Sequence, residues 1–329
     1  MNVIKAIQKR LIIAIPAAMT AGLFVGYSFD VRELKNLIMP LTFLMVYPMM
    51  VTLGIKQVFK PGHRRLQLYT QGINFLLIPI AGFALGTVFF ADNPAARIGI
   101  MLTSLLPTSG MTISWTGFSG GNLTAAVKMT VTGLILGSVL TPLYLEAFMG
   151  ATVDIELLLI ARQIVLIVFI PMLLGYLTQK YLVKRYGMDK FKNEIKQNFP
   201  PFSTLGVLGI VFVAMALKSK AILGNPAIMI NYMIPVAIMY FLNFTLSTFA
   251  GKYFFRKPDG IALVYGSVMR NLSIALAIAM TAFPEMGSDI ALIISIAYII
   301  QVQAGAWYAK FTDRIFSEGG SDELLSEEI

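Results

Sequence analysis

The sequence predicts an all-α polytopic membrane protein of ten transmembrane helices, arranged as a 5+5 inverted repeat in which two helices are discontinuous. Three observations carry this. Hydrophobic residues make up 57% of the 329 and charged residues 13%, about half the charged share of a soluble domain, so most of the surface is matched to lipid. The charges cluster between apolar runs of about 20 residues, the length that spans a bilayer. One run in each half of the chain is interrupted by glycine, hydroxyl and other polar residues. In hydrocarbon only helices and closed barrels satisfy the backbone, and long runs without alternation are helices.

In order, the runs are Leu11–Phe29, Leu37–Ile55, Leu68–Phe90, Ile98–Phe118, Leu123–Phe148, Ile155–Tyr176, Leu205–Leu217, Ala227–Phe249, Ile261–Phe283 and Ile290–Tyr308. The first follows Lys5, Lys9 and Arg10 as a signal peptide would, but nothing downstream reads as a secreted soluble domain, so it is kept as a span. The longest loop, about Lys180 to Phe202, contains Pro200-Pro201 and follows the sixth run. The chain divides more naturally after the fifth, near Thr152. That gives repeats 1–151 and 152–316 and an acidic, polar tail, 317–329, with the composition of a disordered end. Five spans per half insert the second half upside down relative to the first.

Charge fixes the orientation. The loops that include Arg64 and Arg65, Lys180 to Lys196, and Lys252 to Lys257 carry 18 Lys and Arg in all, against six (Arg32, Lys35, Arg97, Arg162, Lys218, Lys220) on the other side. Cytoplasmic loops hold the excess, so both termini are expected in the cytoplasm, in an inner or plasma membrane. The net charge of +9 then reflects loop bias rather than a nucleic-acid partner. Cysteine is absent, which excludes disulfides, thiolate metal sites and a cysteine nucleophile. The one histidine, His63, lies among Lys60, Arg64 and Arg65 as a solvated loop residue. No metal or cofactor is expected.

The fourth run places Thr108, Ser109, Gly110, Thr112, Ser114 and Thr116 directly after Pro107. Proline removes a backbone donor and bends or breaks a helix. Such a segment suits an unwound stretch lining a cavity; the alternative is a kink healed by neighbouring hydroxyls. The ninth run is interrupted by Gly266, Ser267, Arg270, Asn271 and Ser273. Pro107, Gly110 and Gly266 are the expected break points. An arginine at mid-span costs roughly 2.5–3.5 kcal/mol on the insertion scale. No acidic residue falls deep in a predicted span, so a bound anion or water is expected as the partner of Arg270. In the fifth run Lys128 shares a helix face with Thr124, either facing the same interior or snorkelling to the surface. Gln71 and Asn74 in the third run, Asn231, Asn243 and Ser247 in the eighth, and Gln301 and Gln303 in the tenth are further polar residues within spans, of the kind that interhelical hydrogen bonds also use structurally.

With these motifs, Pro107 to Thr130 in the fourth and fifth spans and Arg270-Asn271 in the ninth, nearly the whole chain resembles the bile acid:sodium symporter superfamily, which also includes arsenite-efflux permeases. The resemblance implies two discontinuous helices crossing at mid-membrane, in a core of spans 3–5 and 8–10 beside a panel of spans 1, 2, 6 and 7. It also shows departures. The serine-asparagine pair that helps hold sodium in that family falls on Thr112 and Ile113, and a further serine on Ala126, while a threonine is kept as Thr130. The glutamate bridging two sodium sites falls on Gly266 and a glutamine on Arg270, while Asn271 is kept. In the arsenite branch a cysteine follows the proline and a glutamate the ninth-helix asparagine; these places hold Thr108 and Ser273, although Met111 and Trp115 fit.

The expected function is therefore secondary active transport of a small, organic anion by alternating access. Thr108, Ser109, Thr112 and Asn271 would donate hydrogen bonds and Arg270 positive charge. Thr130, Lys128, Gln71, Gly266 and Ser267 are candidates for an ion site or for coupling, with sodium opposed by the fixed charges of Arg270 and Lys128. Either sodium or a proton remains open as coupling ion. An arsenite- or antimonite-type efflux permease driven by the proton gradient is the alternative, and a channel or membrane sensor a remoter one. A membrane enzyme finds no support, because no His, Cys or carboxylate pair lies within a span.

Overall fold

In a computed structural model of the chain, residues 11–54, 61–150 and 156–316 are described, and they are helical nearly throughout. The helices are α1 (Leu11–Ser28), α2 (Ile38–Val51, entered through a tighter turn, Arg32–Leu37), α3 (Arg64–Phe89), α4 (Pro94–Leu105), α5 (Gly110–Phe118), α6 (Leu123–Met149), α7 (Leu157–Tyr186), α8 (Pro200–Gly224), α9 (Ala227–Phe254), α10 (Lys257–Val268), α11 (Leu272–Ala282) and α12 (Gly287–Ile315). Seven of the described helical stretches are long and apolar enough to cross a membrane, and α1 and α11 are shorter apolar helices. Large apolar side chains such as Phe24, Leu158, Phe241 and Val88 are exposed, which suits lipid as the outer solvent. Lys5, Lys9, Lys60, the proposed boundary near Thr152 and the acidic tail lie outside the described residues.

Two sets of helices pack together. In one, α8 lies along α1 and α2, and α7 lies on α2; in the other, α9 packs on α10, α11 on α12, and α4 against both α3 and α12. The sets meet where α8 and α1 touch α12 and where α11 touches α2 and α7.

The loop expected from Lys180 to Phe202 is largely helical. α7 continues to Tyr186, short turns follow over 188–198, and Pro200 opens α8. Proline in the first turn has no N–H to lose and a φ already set for helix, so Pro200-Pro201 starts a helix where the end of a loop was expected. Within α3 the backbone widens into a π turn, Ile73–Leu77. Pro79 cannot donate to the carbonyl four residues back, and that carbonyl, Phe75 O, instead accepts the hydroxyl of Tyr144 from α6. The widened turn carries Asn74.

Candidate functional site

The fourth run is broken between Leu105 and Gly110. Thr108 has a φ of 61°, a left-handed conformation that strains a β-branched residue and is found where surrounding structure enforces it. Its hydroxyl donates to Thr130 O at 3.2 Å. The room for this comes from α6: a Cβ at Gly133 would stand 2.5 Å from Thr108 Oγ1, and one at Gly137 3.0 Å from Pro107 Cδ. Ser109 then caps α5. Its Oγ accepts from Met111 N and Thr112 Oγ1 accepts from Ser109 N, a reciprocal box that satisfies first-turn donors.

The ninth run breaks between Val268 and Leu272. Gly266, expected at the break, lies inside α10; glycine lowers helix propensity but does not end a helix whose flanks pack on both sides. A Cβ there would meet Met129 Sδ at 2.6 Å, so close packing accounts for this glycine. Met269 and Arg270 are the residues that leave the helix.

The two breaks satisfy each other. Pro107 and Arg270 form an antiparallel bridge, and Asn271 N donates to Leu106 O at 2.7 Å. Gln301 of α12 clamps the same residue from the other side: its Oε1 accepts from Arg270 N at 2.7 Å, its Nε2 donates to Arg270 O, and Tyr240 OH donates to that Oε1 at 2.8 Å. Backbone groups freed by the broken helices are thus paired.

The Arg270 side chain is fully buried, and its partners differ from those expected. Nε donates to Thr103 O at 3.2 Å; Nη1 donates to Asn74 Oδ1 at 2.7 Å and to Ser267 O at 3.0 Å; Nη2 donates to Ser104 O. Neither an anion nor a carboxylate is needed, because neutral oxygens of α3, α4 and α10 supply the acceptors. Sequence reading missed this because backbone carbonyls carry no sequence signal. The interior polar residues Asn74 and Gln301 were the legible part.

A cavity of about 210 Å³ lies beside this crossing, walled by Ser109, Gly110, Met111 and Ser114 of the first break and α5, Arg270 and Ser273 of the second break and α11, Tyr298 of α12, and Met49, Thr52, Ser203 and Thr204 on and beside α2 and α8. It is rich in hydroxyls, carries two thioethers, and contains no acidic side chain. Of the expected substrate residues, Ser109 and Arg270 line it. Thr108 points at the α6 backbone and Thr112 completes the α5 cap. Asn271 caps α11 through Ile274 N. All three are buried outside the cavity wall, since each is already committed to holding a break.

The coupling candidates scatter. Lys128 Nζ donates to Gly62 O at 3.1 Å, on the loop before α3, so its charge is drawn to that surface, as long cationic side chains are. The Thr130 hydroxyl is turned back to Ala126 O. Gly266 O accepts Asn74 Nδ2 and Ser267 O accepts Asn243 Nδ2. Ser267 Oγ, Asn243 Oδ1 and both amide atoms of Gln71 are buried without a hydrogen-bond partner in the protein, the condition in which bound water or an ion is expected. Among the described residues no three His, Cys, Asp or Glu side chains come together.

Two broken helices meeting beside a polar cavity, in a multi-pass helical membrane protein, are the arrangement of the discontinuous-helix transporters. The chain belongs to the sodium bile acid symporter family, whose pattern matches residues 39–225. Its relatives include the arsenical-resistance protein Acr3 of Alkaliphilus metalliredigens, 23% identical over 83% of this chain and 80% of that protein. The Acr3 of Corynebacterium glutamicum is 22% identical over 85% and 82%, and sodium/bile acid cotransporter 7 of Danio rerio 24% identical over 67% and 66%.

Proposed function

We propose that this protein is a secondary active transporter of a small anion, working by alternating access. The observation that carries the reading is the cavity: first-turn residues of two half-helices, Ser109 to Met111 and Ser273, meet there beside the charge of Arg270, and no acidic side chain lines it. Helix N-termini carry partial positive charge, so the wall favours an anion. Ser109, Ser114, Ser273 and Tyr298 would orient it by hydrogen bonds. Thr108, Thr112 and Asn271 keep the breaks in shape.

The reading includes a ten-span, 5+5 inverted repeat in the inner or plasma membrane with both termini cytoplasmic. A core of α3–α6 and α9–α12 would rock against a panel of α1, α2, α7 and α8, and the cavity, with walls from both sets, would open to each side in turn. The buried, unpartnered polar atoms around Gln71, Ser267 and Asn243 are the candidate route for water or a coupling proton. A second reading, efflux of arsenite or antimonite, is favoured by the two Acr3 relatives and by the hydroxyls and thioethers of the wall, which match a neutral, hydroxyl-bearing solute.

Thermal unfolding of the purified protein against a panel of small carboxylates and arsenite separates the readings, because a ligand that binds the native state raises its apparent stability. A saturable shift with a carboxylate, reproduced as uptake into proteoliposomes and reduced by Ser109→Ala, is expected. A shift with arsenite alone would reverse the preference. Single-channel currents would end the carrier reading altogether.

A further inference from the structure

The acceptors around the Arg270 guanidinium are all oxygens of neutral groups. Thr103 O and Ser104 O belong to the last turn of α4 and Ser267 O to the last turn of α10, where carbonyls lack partners within the helix and the helix dipole is negative. Asn74 Oδ1 completes the set, and its direction is fixed because Asn74 Nδ2 is held by Gly266 O at 2.9 Å. Four oxygens from three separate helices thus surround one guanidinium, and all are neutral. Brought together without a cation, these dipoles would repel one another. Ends of broken helices arranged in this way are what hold free coupling cations in discontinuous-helix carriers. The N-terminal ends of the same pair of broken helices face the substrate cavity instead.

We propose that the Arg270 guanidinium is a built-in replacement for a free monovalent cation: it fills an all-oxygen cage that, without the side chain, would bind sodium or a small guanidinium ion from solution. The charge needed to hold the two half-helix C-termini together is covalently attached, so the crossing is assembled before any ion arrives. The burial supports this. A guanidinium with no carboxylate partner, wholly inside the protein, persists only where its donors are met by fixed acceptors, and four of its hydrogen bonds are met by this cage. The transport consequence, binding of substrate without a coupling cation, rests on the carrier reading above; the cation cage itself does not.

The test is thermal unfolding of purified Arg270→Ala and Arg270→Gln proteins with no substrate present, in sodium or choline chloride at equal ionic strength. In separate arms, millimolar ethylguanidinium is compared with ethylurea, its uncharged counterpart. The Ala variant is expected to melt below the native protein. It should recover at least half of the lost Tm, saturably, with ethylguanidinium, and a smaller part with sodium, but none with ethylurea. Arg270→Gln should respond to sodium, and the native protein to neither. If the Ala variant accumulates only when extracted and purified in ethylguanidinium, and not in ethylurea, the proposal stands by the same logic. A folded variant indifferent to every cation, or equal failure in both additives together with a sodium-indifferent Arg270→Gln, overturns it. Proteoliposome uptake keeps the two ideas apart: cation rescue of stability in a protein that transports none of the tested solutes would leave the cage standing and remove the anion reading.

Discussion

Gln301→Leu removes the clamp on the second break. Gln301 is fully buried and makes three hydrogen bonds, with Arg270 N, Arg270 O and Tyr240 OH. Leucine fits a similar volume but leaves a backbone N–H, a carbonyl and a phenol hydroxyl without this partner in the interior. Each buried group so orphaned costs about 1–3 kcal/mol, and the carbonyl keeps a second lone pair, so the summed loss should be on the order of 3–6 kcal/mol. Tyr240→Phe alone removes one neutral hydrogen bond and should cost about 0.5–1.5 kcal/mol. In the Gln301→Leu background the same change deletes an already unpaired hydroxyl, so it should be neutral or stabilising. The cycle is read by chemical or thermal unfolding in detergent, with substrate binding measured in parallel. Additive effects of the two substitutions, or a Gln301→Leu protein as stable as the native one, would show that the second break does not depend on this residue.

Four further outcomes follow from the same geometry. Substrate affinity should be equal in sodium and choline at constant ionic strength, because the cage already holds a cation; a saturable sodium enhancement in the native protein would contradict this. Ser109→Ala and Thr112→Val each remove one half of the α5 cap and should cost about 0.5–2 kcal/mol of stability, but only Ser109, which lines the cavity, should also weaken binding; equal affinity losses would refute the separation of roles. Gly133→Val places side-chain atoms where Thr108 Oγ1 now lies and should destabilise by about 1–3 kcal/mol through overpacking, seen as a lower Tm; an unchanged Tm would mean that α6 does not constrain the break. With the cation fixed to the protein, uptake of a monovalent anion should carry net charge, so a valinomycin-imposed inside-negative potential should slow it; indifference to the potential would point to exchange or to a co-transported proton.

The helical, membrane-spanning character was legible because lipid imposes a strong rule: long apolar runs are helices, and charge falls between them. The first interruption was legible for the same reason, since proline followed by hydroxyls has few uses in a lipid-facing helix. The second was placed a few residues early, at Gly266. Glycine can signal either chain freedom or close contact, and contact with Met129 and Thr70 was invisible in one dimension. Pro200-Pro201 misled in the same way, since two prolines read as part of a loop until the helix they start is seen. The role of Arg270 was half legible. Its depth and lack of acidic partners were plain, but the acceptors are three carbonyls and an amide from residues up to 196 positions away, and only the tertiary structure brings them together.

Breaking two helices at one crossing creates four ends, and these are not equivalent. The two C-terminal ends present carbonyls and require a positive partner; the two N-terminal ends present N–H groups and favour a negative one. Arg270 supplies the first requirement permanently, from within the chain. The second is left to the cavity, where hydroxyls of Ser109, Ser114 and Ser273 supplement the N–H groups without neutralising them. A carrier with a free cation in the first position moves its substrate together with compensating charge. A carrier with a tethered one does not, so moving a monovalent anion inward against an inside-negative potential would cost about 2.3 kcal/mol per 100 mV, with no sodium gradient to offset it. The same potential favours outward movement of such an anion. Efflux, exchange of like-charged solutes, or entry with a proton are the modes that this arrangement supports. Entry with a proton would have its nearest unpartnered polar group in the hydroxyl of Ser267, the residue whose carbonyl accepts from Arg270.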